Sequence, residues 1–395
     1  MKLPLNGIIV LDLTKVLAGP FCSMQLADFG ATVIKIEPPG LGDDSRHIGP
    51  HVKGESTYFV SVNRNKKSVT LNLKSSKGVD IFRGMVKKAD VLVENFRPGT
   101  MEKMGLGYES ISGINPRIIY ASGSGFGQTG PYREKPAYDP IVQSLGGIMS
   151  VTGDPGGHPV RVGVSIGDLA AGLYLTQGIL LALLNREKTG RGQHIDVAML
   201  DCQVALLENH IARYLIAGQI PRPVGNRHPS FAPFGSFATA DGHITIAAGN
   251  NKLWALLCKV LGKPHLASDP RFATNADRAA NYDEMEREMV AVLKNQTSAH
   301  WASVLDRAGI PCGPIQTVEQ VIDHPQVRAR EMIVEQFHPV LGKVTVAGIP
   351  VKMSATPGRV KDPAPLLGQH TEEVLKGLMG LDDHAIRSLK DEGVI

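Results

Sequence analysis

The sequence predicts an α/β protein whose large lobe is a parallel sheet flanked by helices. Short β-branched, apolar stretches alternate with stretches of helical spacing through the first half of the 395 residues, which is the pattern of successive strand–helix–strand units. The composition agrees, because 43% apolar residues with 43 glycines and 26 prolines are typical of a loop-rich enzyme and not of a fibre or a disordered chain. We therefore expect a Rossmann-like large lobe and a smaller α+β lobe.

The elements of the large lobe are predicted in chain order. Residues 8–13 form a strand, residues 18–29 a helix that ends before Gly30, and Thr32–Glu37 a second strand, so the chain opens as a βαβ unit. The alternation then continues through strand Ser68–Leu73, helix Gly78–Lys88, strands Asp90–Glu94 and Arg117–Ser122, helix Asp168–Lys188, strand His194–Val197 and helix Leu200–Ala217.

A cluster of prolines and glycines after Gly218 marks a linker, which places the lobe boundary there. Residues 1–218 are the large lobe, 219–329 the small α+β lobe with its linkers, and 330–395 a segment that returns to the large lobe. In the small lobe, Asp241-Gly242 between two apolar runs predicts a hairpin over 234–239 and 243–248. The remaining predictions are helices Asn251–Leu261, Tyr282–Asn295 and Ser298–Ala308, strands Met332–Phe337 and Lys343–Val346, and helices from Thr371 and Asp382.

Charge and cysteine content narrow the function classes. The formal net charge is only +4, from 42 basic and 38 acidic residues, which does not favour nucleic-acid binding. Four scattered cysteines without a CxxC pair suggest neither a zinc site nor a disulfide framework. The longest apolar stretch, near Ile179–Leu184, is shorter than the ~20 residues of a membrane span. No cleavable signal is recognised either, so a cytoplasmic protein without membrane contact is expected.

Residues Gly125–Gly130 match the GxGxxG pattern of nicotinamide-binding folds. That pattern requires a helix directly after the glycines, so that the helix amide groups meet a pyrophosphate. Here Pro131 follows, and Pro131–Pro136 is predicted to continue as a loop. The motif therefore does not predict a nicotinamide cofactor.

Cations cluster around the strand predicted at Ser68. Arg64, Lys66 and Lys67 precede it, and further cations stand in loops at Lys74, Lys77, Arg97, Lys103 and Lys135. The cluster before the strand is either a solvated turn or part of a site. Convergent cations suit a ligand that carries several phosphates.

Asp168 stands between Gly167 and the helical stretch that starts at Leu169. An aspartate there most often caps the helix, and this interpretation stays open beside a catalytic one. With an unperturbed pKa of about 3.9 it is expected to be ionised at neutral pH, and a helix N-terminus adds about 0.3 to 1 kcal/mol to that preference. Asp139 and Glu94 are either helpers or structural acceptors, and no spacing separates the two interpretations.

The whole chain resembles the class III CoA-transferases, the family of formyl-CoA transferase and carnitine CoA-transferase. The stretches that carry this resemblance are LDLTKVLAGP (11–20), ADFGATVIKIE (27–37), VNRNKKS (62–68), VENFRPG (93–99), SGFGQTGP (124–131), GDLAAG (167–172), KTGRGQ (188–193) and PLLGQHT (365–371). The segments at 42–46, 224–229 and 249–251 look most like the branch that acts on dicarboxylates such as succinate, glutarate or mesaconate.

The resemblance implies roles for individual residues. Asp168 matches the aspartate that forms the covalent intermediates, and Asp139 stands where the formyl-CoA branch has a glutamate near the reaction centre. The positions that match CoA contacts are Val16, Leu17, Ala18, Leu71, Asn72, Lys74, Asn95, Phe96, Arg97, Lys103, Lys135, Ala137 and Tyr138. Leu17 and Pro38 depart from the glutamine and arginine of the formyl-CoA branch, which argues against formate or oxalate as the substrate.

The expected reaction is the exchange of CoA between an acyl-CoA and a carboxylic acid. It needs no metal, nicotinamide or flavin, and the resemblance implies an interlocked homodimer. Backbone groups at Gly249 and Asn250 are candidate oxyanion stabilisers, and Arg46, Arg227 and His228 are candidates to bind a distal carboxylate. An acyl-CoA racemase of the same fold and a non-catalytic CoA-binding protein are the alternatives. The racemases resemble GHD where this chain has residues 137–139 as Ala-Tyr-Asp, so the histidine of their acid/base pair is missing.

Overall fold

The computed structural model describes residues 2–395, which divide into two units. The first unit comprises the chain up to Ile148, Arg161–Gly218 and Gln326–Ile395, and the second comprises Met149–Val160 and Gln219–Pro325. The sequence placed the boundary at 218 and 219 but grouped residues 149–160 with the large lobe. The second unit therefore includes a short segment that no composition change marks.

The strands in chain order are β1 Ile9–Asp12, β2 Thr32–Glu37, β3 His51–Val52, β4 Glu55–Ser56, β5 Lys66–Thr70, β6 Val91–Glu94, β7 Ile119–Ser124, β8 His194–Ala198, β9 Phe234–Ala238, β10 His243–Ala247, β11 Cys312–Pro314, β12 Ile333–His338 and β13 Gly342–Ala347. The helices are α1 Ala18–Asp28, α2 Thr57–Val62, α3 Ser76–Val86, α4 Thr100–Lys103, α5 Tyr108–Ile114, α6 Asp139–Leu145, α7 Ile166–Thr189, α8 Met199–Leu206, α9 Glu208–Ala217, α10 Asn251–Val260, α11 Asn275–Ala280, α12 Tyr282–Leu293, α13 Ser298–Arg307, α14 Val318–Asp323, α15 Pro325–Ala329, α16 Thr371–Met379 and α17 Asp383–Asp391.

The first unit is built on a six-stranded sheet in the order β5-β2-β1-β6-β7-β8. Every neighbouring pair is parallel, which confirms the predicted parallel sheet. The chain adds strands outward from β1 in one direction and outward from β6 in the other. The order thus reverses between β1 and β6, and at such a switch point the loops beyond the carboxyl ends of the strands diverge and leave a crevice.

Both faces of this sheet are buried, as the almost continuously apolar strands require. Val10 and Val91 face a cluster that includes Ile179 of α7, whereas the next residues in the strands, Leu11 and Leu92, face the opposite cluster. Helices α1 and α7 cover the first face, and α3, α5 and α16 contribute to the second. The C-terminal helix α16 is therefore part of the core of the first unit.

Helix α7 is longer and more apolar than the sequence analysis expected. Its 24 residues are long and apolar enough, by length and composition alone, for a membrane span. The expectation that no stretch approaches span length is therefore wrong. In this fold one face of α7 packs on α1 and on the sheet, as a core helix does.

Glycine in the GDLAAG stretch permits that packing. A Cβ on Gly172 would lie 2.7 Å from the carbonyl oxygen of Ala18, a distance that real Cβ atoms do not adopt. Only glycine lets the first turns of α7 and α1 approach this closely. The two helix starts are consequently neighbours.

The second unit has its own antiparallel sheet, in the order β11-β10-β9. The hairpin predicted around Asp241-Gly242 is confirmed, with Thr239 N donating to the carbonyl oxygen of Gly242. Its core gathers Phe237, Trp254 and Phe272 with apolar residues of α10, α12 and α13. Thr297 caps α13 by accepting a hydrogen bond from His300 N.

One predicted helix is divided in the structure, and several predicted elements have shifted bounds. The helix expected over Leu200–Ala217 is interrupted at Leu207, which gives α8 and α9. The strand expected at Ser68–Leu73 begins two residues earlier, at Lys66. Short helices such as α2, α5 and α6 were not predicted, because six or seven residues are too few to show a helical period.

Candidate active site

A cavity of about 350 Å³ opens at the switch point of the sheet, beyond the ends of β1 and β6. It is lined by Lys15, Val16, Leu17, Ala18, Asp44, Asn95, Phe96, Arg97, Pro98, Gly123, Ser124, Gly125, Arg133, Lys135, Pro136, Ala137, Tyr138, Asp168, Ala171 and Met199. All of these residues belong to the first unit. We call this cavity the switch-point pocket.

The loop after β1 forms one wall of the pocket. Asn95, directly after β6, accepts a hydrogen bond from Lys15 N at 2.8 Å and donates one to the Lys15 carbonyl oxygen at 2.9 Å. Helix α1 begins at Ala18 without a side-chain cap. The amide groups of Ala18 and Gly19 therefore lack partners within the helix and can meet an anion, whereas Pro20 has no N–H to offer.

Asp168 brings a carboxylate into the same pocket. Helix α7 begins at Ile166, and the residue at its N-cap is Ser165, so the expectation that Asp168 caps the helix is wrong. Asp168 is the third residue of the first turn and is half-buried. Its carboxylate has no hydrogen bond or ion pair with any residue from 2 to 395.

The electrostatics of Asp168 differ from the expectation. Burial raises its pKa to about 7, and the negative charge of Asp139 contributes to the same shift. The unperturbed pKa of about 3.9 includes neither effect. At neutral pH the ligand-free carboxyl group is therefore close to half-protonated, despite its place in the first turn of a helix.

Asp139 itself is buried and supports the start of α7. One carboxylate oxygen accepts a hydrogen bond from Gly167 N at 2.8 Å, and the other accepts one from Gln143 Nε2 at 2.7 Å. A Cβ on Gly167 would lie 3.0 Å from the first of these oxygens, which explains the glycine there. Asp139 does not line the switch-point pocket, so it acts on Asp168 through charge and through the backbone of Gly167.

Sequence reasoning missed one neighbour of the carboxylates, Tyr58 on α2. Its pKa is raised by burial first, and then by the negative charges of Asp168, Asp139 and Asp43. The tyrosine hydroxyl is thus in the same electrostatic environment as Asp168. No periodicity or spacing in the sequence connects the two, since 110 residues separate them along the chain.

Most of the residues that match CoA contacts line the switch-point pocket. They are Val16, Leu17, Ala18, Asn95, Phe96, Arg97, Lys135, Ala137 and Tyr138. Lys74 and Lys103 lie together in a second cavity of about 440 Å³ that also includes Arg83. Leu71 packs in the core of the first unit, and Asn72 accepts a hydrogen bond from Lys74 N, so neither lines these two cavities.

Two groups of cations in the first unit differ in whether they pair with an acidic side chain. Arg64 forms a buried ion pair with Asp28 at 2.7 Å, and Lys66 forms one with Asp12 at 3.1 Å. The interpretation that this cluster serves a phosphate ligand is therefore wrong for both residues, because their charges are used inside the fold. In contrast, Lys74, Arg97, Lys103 and Lys135, the cations at positions that match CoA contacts, form no ion pair with an acid within residues 2–395.

The candidates for a distal carboxylate have partners within their own units. Arg46 makes two hydrogen bonds of 2.7 Å to Glu37 and stacks on Phe59. In the second unit, Arg227 pairs with Asp283 at 3.0 Å, and His228 Nδ1 accepts hydrogen bonds from backbone N–H groups.

The two candidate oxyanion stabilisers, Gly249 and Asn250, are also in the second unit. Asn250 caps α10 by accepting a hydrogen bond from Leu253 N at 2.8 Å. The carbonyl oxygen of Gly249 accepts a hydrogen bond from Arg278. Their part in the reaction stays a prediction.

Comparisons with known proteins agree with this geometry. Residues 5–371 match the family described as CoA-transferase family III. The acetyl-CoA:oxalate CoA-transferase of Acetobacter aceti is 49% identical over 89% of this chain and 90% of its own length. The succinyl-CoA:glutarate CoA-transferase of Mus musculus is 44% identical over 99% of this chain and 90% of its own.

A solved structure supports the same assignment. The crystal structure of a CAIB/BAIF family protein from Brucella suis superimposes with a TM-score of 0.87 at 39% identity, covering 96% of this chain and all of that one. The family match extends over both units and includes every residue of the switch-point pocket. The chain therefore belongs to CoA-transferase family III and is an enzyme of the CoA-transferase type.

Proposed function

We propose that the protein moves CoA from an acyl-CoA donor to a carboxylic acid through covalent intermediates on Asp168. The observation that carries this proposal is the carboxylate in the switch-point pocket: it is half-buried, lacks an ion pair within residues 2–395 and has a pKa of about 7. A carboxylate that is not engaged by a cation or a donor retains its nucleophilicity. Its neighbours are the first turn of α1 and small residues that leave room for a thioester.

In the first half-reaction, ionised Asp168 attacks the carbonyl carbon of the donor thioester. The carbon–sulfur bond breaks, and a mixed anhydride and CoA thiolate result. The thiolate then attacks the aspartyl carbonyl carbon, expels the donor carboxylate and leaves an aspartyl-CoA thioester. Each step exchanges one acyl bond for another, so no oxidant, reductant or ATP is consumed.

In the second half-reaction, the acceptor carboxylate attacks the aspartyl-CoA carbonyl carbon and releases CoA thiolate. The thiolate attacks the acyl carbon of the new anhydride, which forms the product acyl-CoA and returns Asp168 as a carboxylate. Water has to be excluded, because hydrolysis of either anhydride would end the cycle.

The unpaired cations support CoA as the group that is bound. Arg97 and Lys135 line the switch-point pocket, and Lys74 and Lys103 line the second cavity. Cations that are not neutralised by the fold are the groups that form charge-assisted hydrogen bonds with phosphate oxygens. All four coincide with positions that the family resemblance assigns to CoA, whereas the paired residues Arg64 and Lys66 do not.

We further propose a dicarboxylic acid as the acceptor. Named relatives at 40–49% identity include transferases for oxalate, glutarate, D-citramalate and mesaconate, and all of these acids carry a second carboxylate. The oxalate transferase, at 49% identity, weakens the argument from Leu17 and Pro38 against oxalate, so oxalate belongs among the acceptors to be tested. In this pocket the cation Lys15 is paired with Asp44 only loosely, at 3.4 Å. An acceptor screen should therefore rank four- and five-carbon dicarboxylates above the matched monocarboxylates.

The homodimer is proposed from the uncovered apolar surface of the first unit. No residue of helix α9 is buried within the chain. Its apolar residues Leu215 and Ile216 are 73% and 86% exposed. On α7, Leu181 and Leu184 are also more than half exposed. Exposed apolar side chains gathered on a helix mark a protein interface, so light scattering should give twice the 42.4 kDa chain mass. A monomer would contradict this part of the proposal.

The reaction is tested by trapping the intermediate. The protein is incubated with succinyl-CoA without acceptor, treated with hydroxylamine or borohydride, and digested for mass spectrometry. Modification at Asp168 is expected, and Asp168→Asn should abolish it. Asp383→Asn, which alters a carboxylate in the first turn of α17, is the matched control and should leave the modification unchanged.

Two outcomes would contradict the proposal. Modification of another residue would show a different nucleophile. Full CoA transfer by Asp168→Asn would remove the covalent route, and exchange of the α-proton of an acyl-CoA in D₂O would then support the racemase alternative.

A further inference from the structure

The wall of the switch-point pocket contains an unusual backbone conformation. Val16 has a φ of 65°, in the left-handed region that β-branched residues rarely adopt because Cβ crowds the backbone. Such a residue persists only where its surroundings hold it in place, and it often marks a functional position. Val16 stands directly before the start of α1, so its conformation sets where the chain enters that helix.

The backbone amide of Val16 is hydrogen-bonded to the buried carboxylate of Asp43. Its Oδ1 accepts a hydrogen bond from Val16 N at 3.0 Å, and its Oδ2 lies 2.7 Å from Lys35 Nζ. Ser45 donates to the same Oδ1 from both its amide and its hydroxyl, each at 2.8 Å. Asp43 and Lys35 are only 1% and 0% exposed, so the carboxylate is fixed in position and has no access to solvent.

Thr14, two residues before Val16, is also hydrogen-bonded to buried charged side chains. Lys35 Nζ donates to the Thr14 carbonyl oxygen at 2.8 Å, while Asp12 accepts from Thr14 N at 2.8 Å. Lys15, between them, is held by Asn95 as described above. Beyond the hydrogen bond from Leu13 N to the Val93 carbonyl oxygen, the loop between β1 and α1 is therefore held by side chains of β1, β2, Asp43 and Asn95.

A second buried ion pair shows that burial alone does not give this arrangement. Arg64 and Asp28 are as buried as Lys35 and Asp43, but their further hydrogen bonds go to Asn65 and to the carbonyl oxygen of Ala347. None of those residues lines the switch-point pocket. The Asp43–Lys35 pair differs because Asp43 also accepts a hydrogen bond from Val16 N, and Val16 lines the switch-point pocket.

We propose that Asp43, fixed by Lys35, is a positioning residue that holds Val16 in its left-handed conformation and so keeps the pocket wall ready to bind CoA. This inference rests on the proposed function in one respect, that CoA is the ligand of the pocket. Without Asp43, the loop spends part of its time in other conformations, and the dissociation constant for CoA rises as the competent fraction falls.

The test is a double-mutant cycle of Asp43→Asn and Val16→Gly, read out as the dissociation constant for free CoA by calorimetry. Glycine adopts positive and negative φ about equally readily, so a glycine at position 16 needs no hydrogen-bond partner to keep the left-handed conformation. We expect Asp43→Asn to weaken CoA binding about tenfold or more with Val16 in place, and by less than about threefold in the Val16→Gly background. Asp28→Asn is the matched control, which should lower the melting temperature and leave CoA affinity unchanged.

Equal losses in the two backgrounds, or no loss with Val16 in place, would overturn the inference. If Asp43→Asn does not fold, Asp43→Glu is measured in the same two backgrounds, because the longer side chain keeps a charge for Lys35 but displaces the acceptor of Val16 N. CoA binding requires no turnover. The inference can therefore fail while Asp168 is labelled, and the covalent mechanism can fail while the cycle still shows coupling.

Discussion

Buried carboxylates lie in two regions of the first unit, and the regions differ in whether the carboxylates have a cation as a partner. Beneath the loop after β1, Asp12, Glu37 and Asp43 all have lysine or arginine partners, and these cations hold the pKa of each carboxyl group below its usual value although burial acts in the opposite direction. In the switch-point pocket, Asp168 has no such partner, and burial raises its pKa to about 7.

Glu94 shows that a raised pKa alone does not define a reactive group. Burial raises its pKa to about 7 as well, but it is only 4% exposed and accepts a hydrogen bond from Phe96 N. Asp168 combines the missing cation with an opening into a cavity. The paired carboxylates therefore shape the site, and the unpaired, accessible carboxylate is the one available for chemistry.

The largest expected effect comes from removing the unpaired carboxylate. Asp168→Asn keeps the size of the side chain but cannot form an anhydride, so kcat for CoA transfer should fall by about 1000-fold or more. Its melting temperature should be equal to or above that of the parent, since Asp168 makes no ion pair. Steady-state kinetics and thermal unfolding measure both, and a fall of less than about tenfold would contradict the assigned role.

Removing a cation from the paired region should instead affect stability. Lys66→Met leaves Asp12 with one buried partner fewer, and we expect the free energy of unfolding to fall by about 3 kcal/mol. Lys67→Met, at the next position, removes an exposed pair with Glu373 and should cost less than about 1 kcal/mol. Urea unfolding measures the two variants, and equal losses would break the distinction between the regions.

A change in the spacing of the two helix starts should have a smaller effect. Gly172→Ala places a Cβ against the Ala18 carbonyl oxygen, and we expect it to destabilise the fold by about 1 to 3 kcal/mol and to lower kcat. Gly377→Ala in α16 has open space at its Cβ and should be neutral or stabilising. If Gly172→Ala behaved like Gly377→Ala, the close approach of α7 to α1 would have no role.

The sheet could be predicted from the sequence because apolar strands alternate with helical stretches. Asp168 was selected by the family resemblance of the GDLAAG stretch, and its role in the reaction stays a prediction. The partners of charged residues could not be predicted, because Lys66 and Asp12 are 54 residues apart and only the register of the sheet brings them together. For the same reason Arg64 and Lys66 resembled ligand-binding cations, and Tyr58 gave no signal.

The pKa of Asp168 also required the structure. Its value depends on how deeply the first turn of α7 is buried and on the charge of Asp139, which is 29 residues away in the chain and reaches the site through Gly167. A motif identifies the residue type and its helix. It does not specify how deeply the residue is buried or which charges lie near it, and these determine the pH at which the residue ionises.

The most direct test of the central claim is the pH dependence of Asp168 acylation in a single turnover with succinyl-CoA, measured for the parent protein and for Asp139→Asn. The ionised form is the nucleophile, so the second-order rate constant should fall about tenfold per pH unit below about 7 and level off above it. Asp139→Asn removes a like charge and should move the midpoint toward acid pH. A rate constant that stays level from about pH 5 to 9 would contradict an unpaired carboxylate with a raised pKa as the nucleophile.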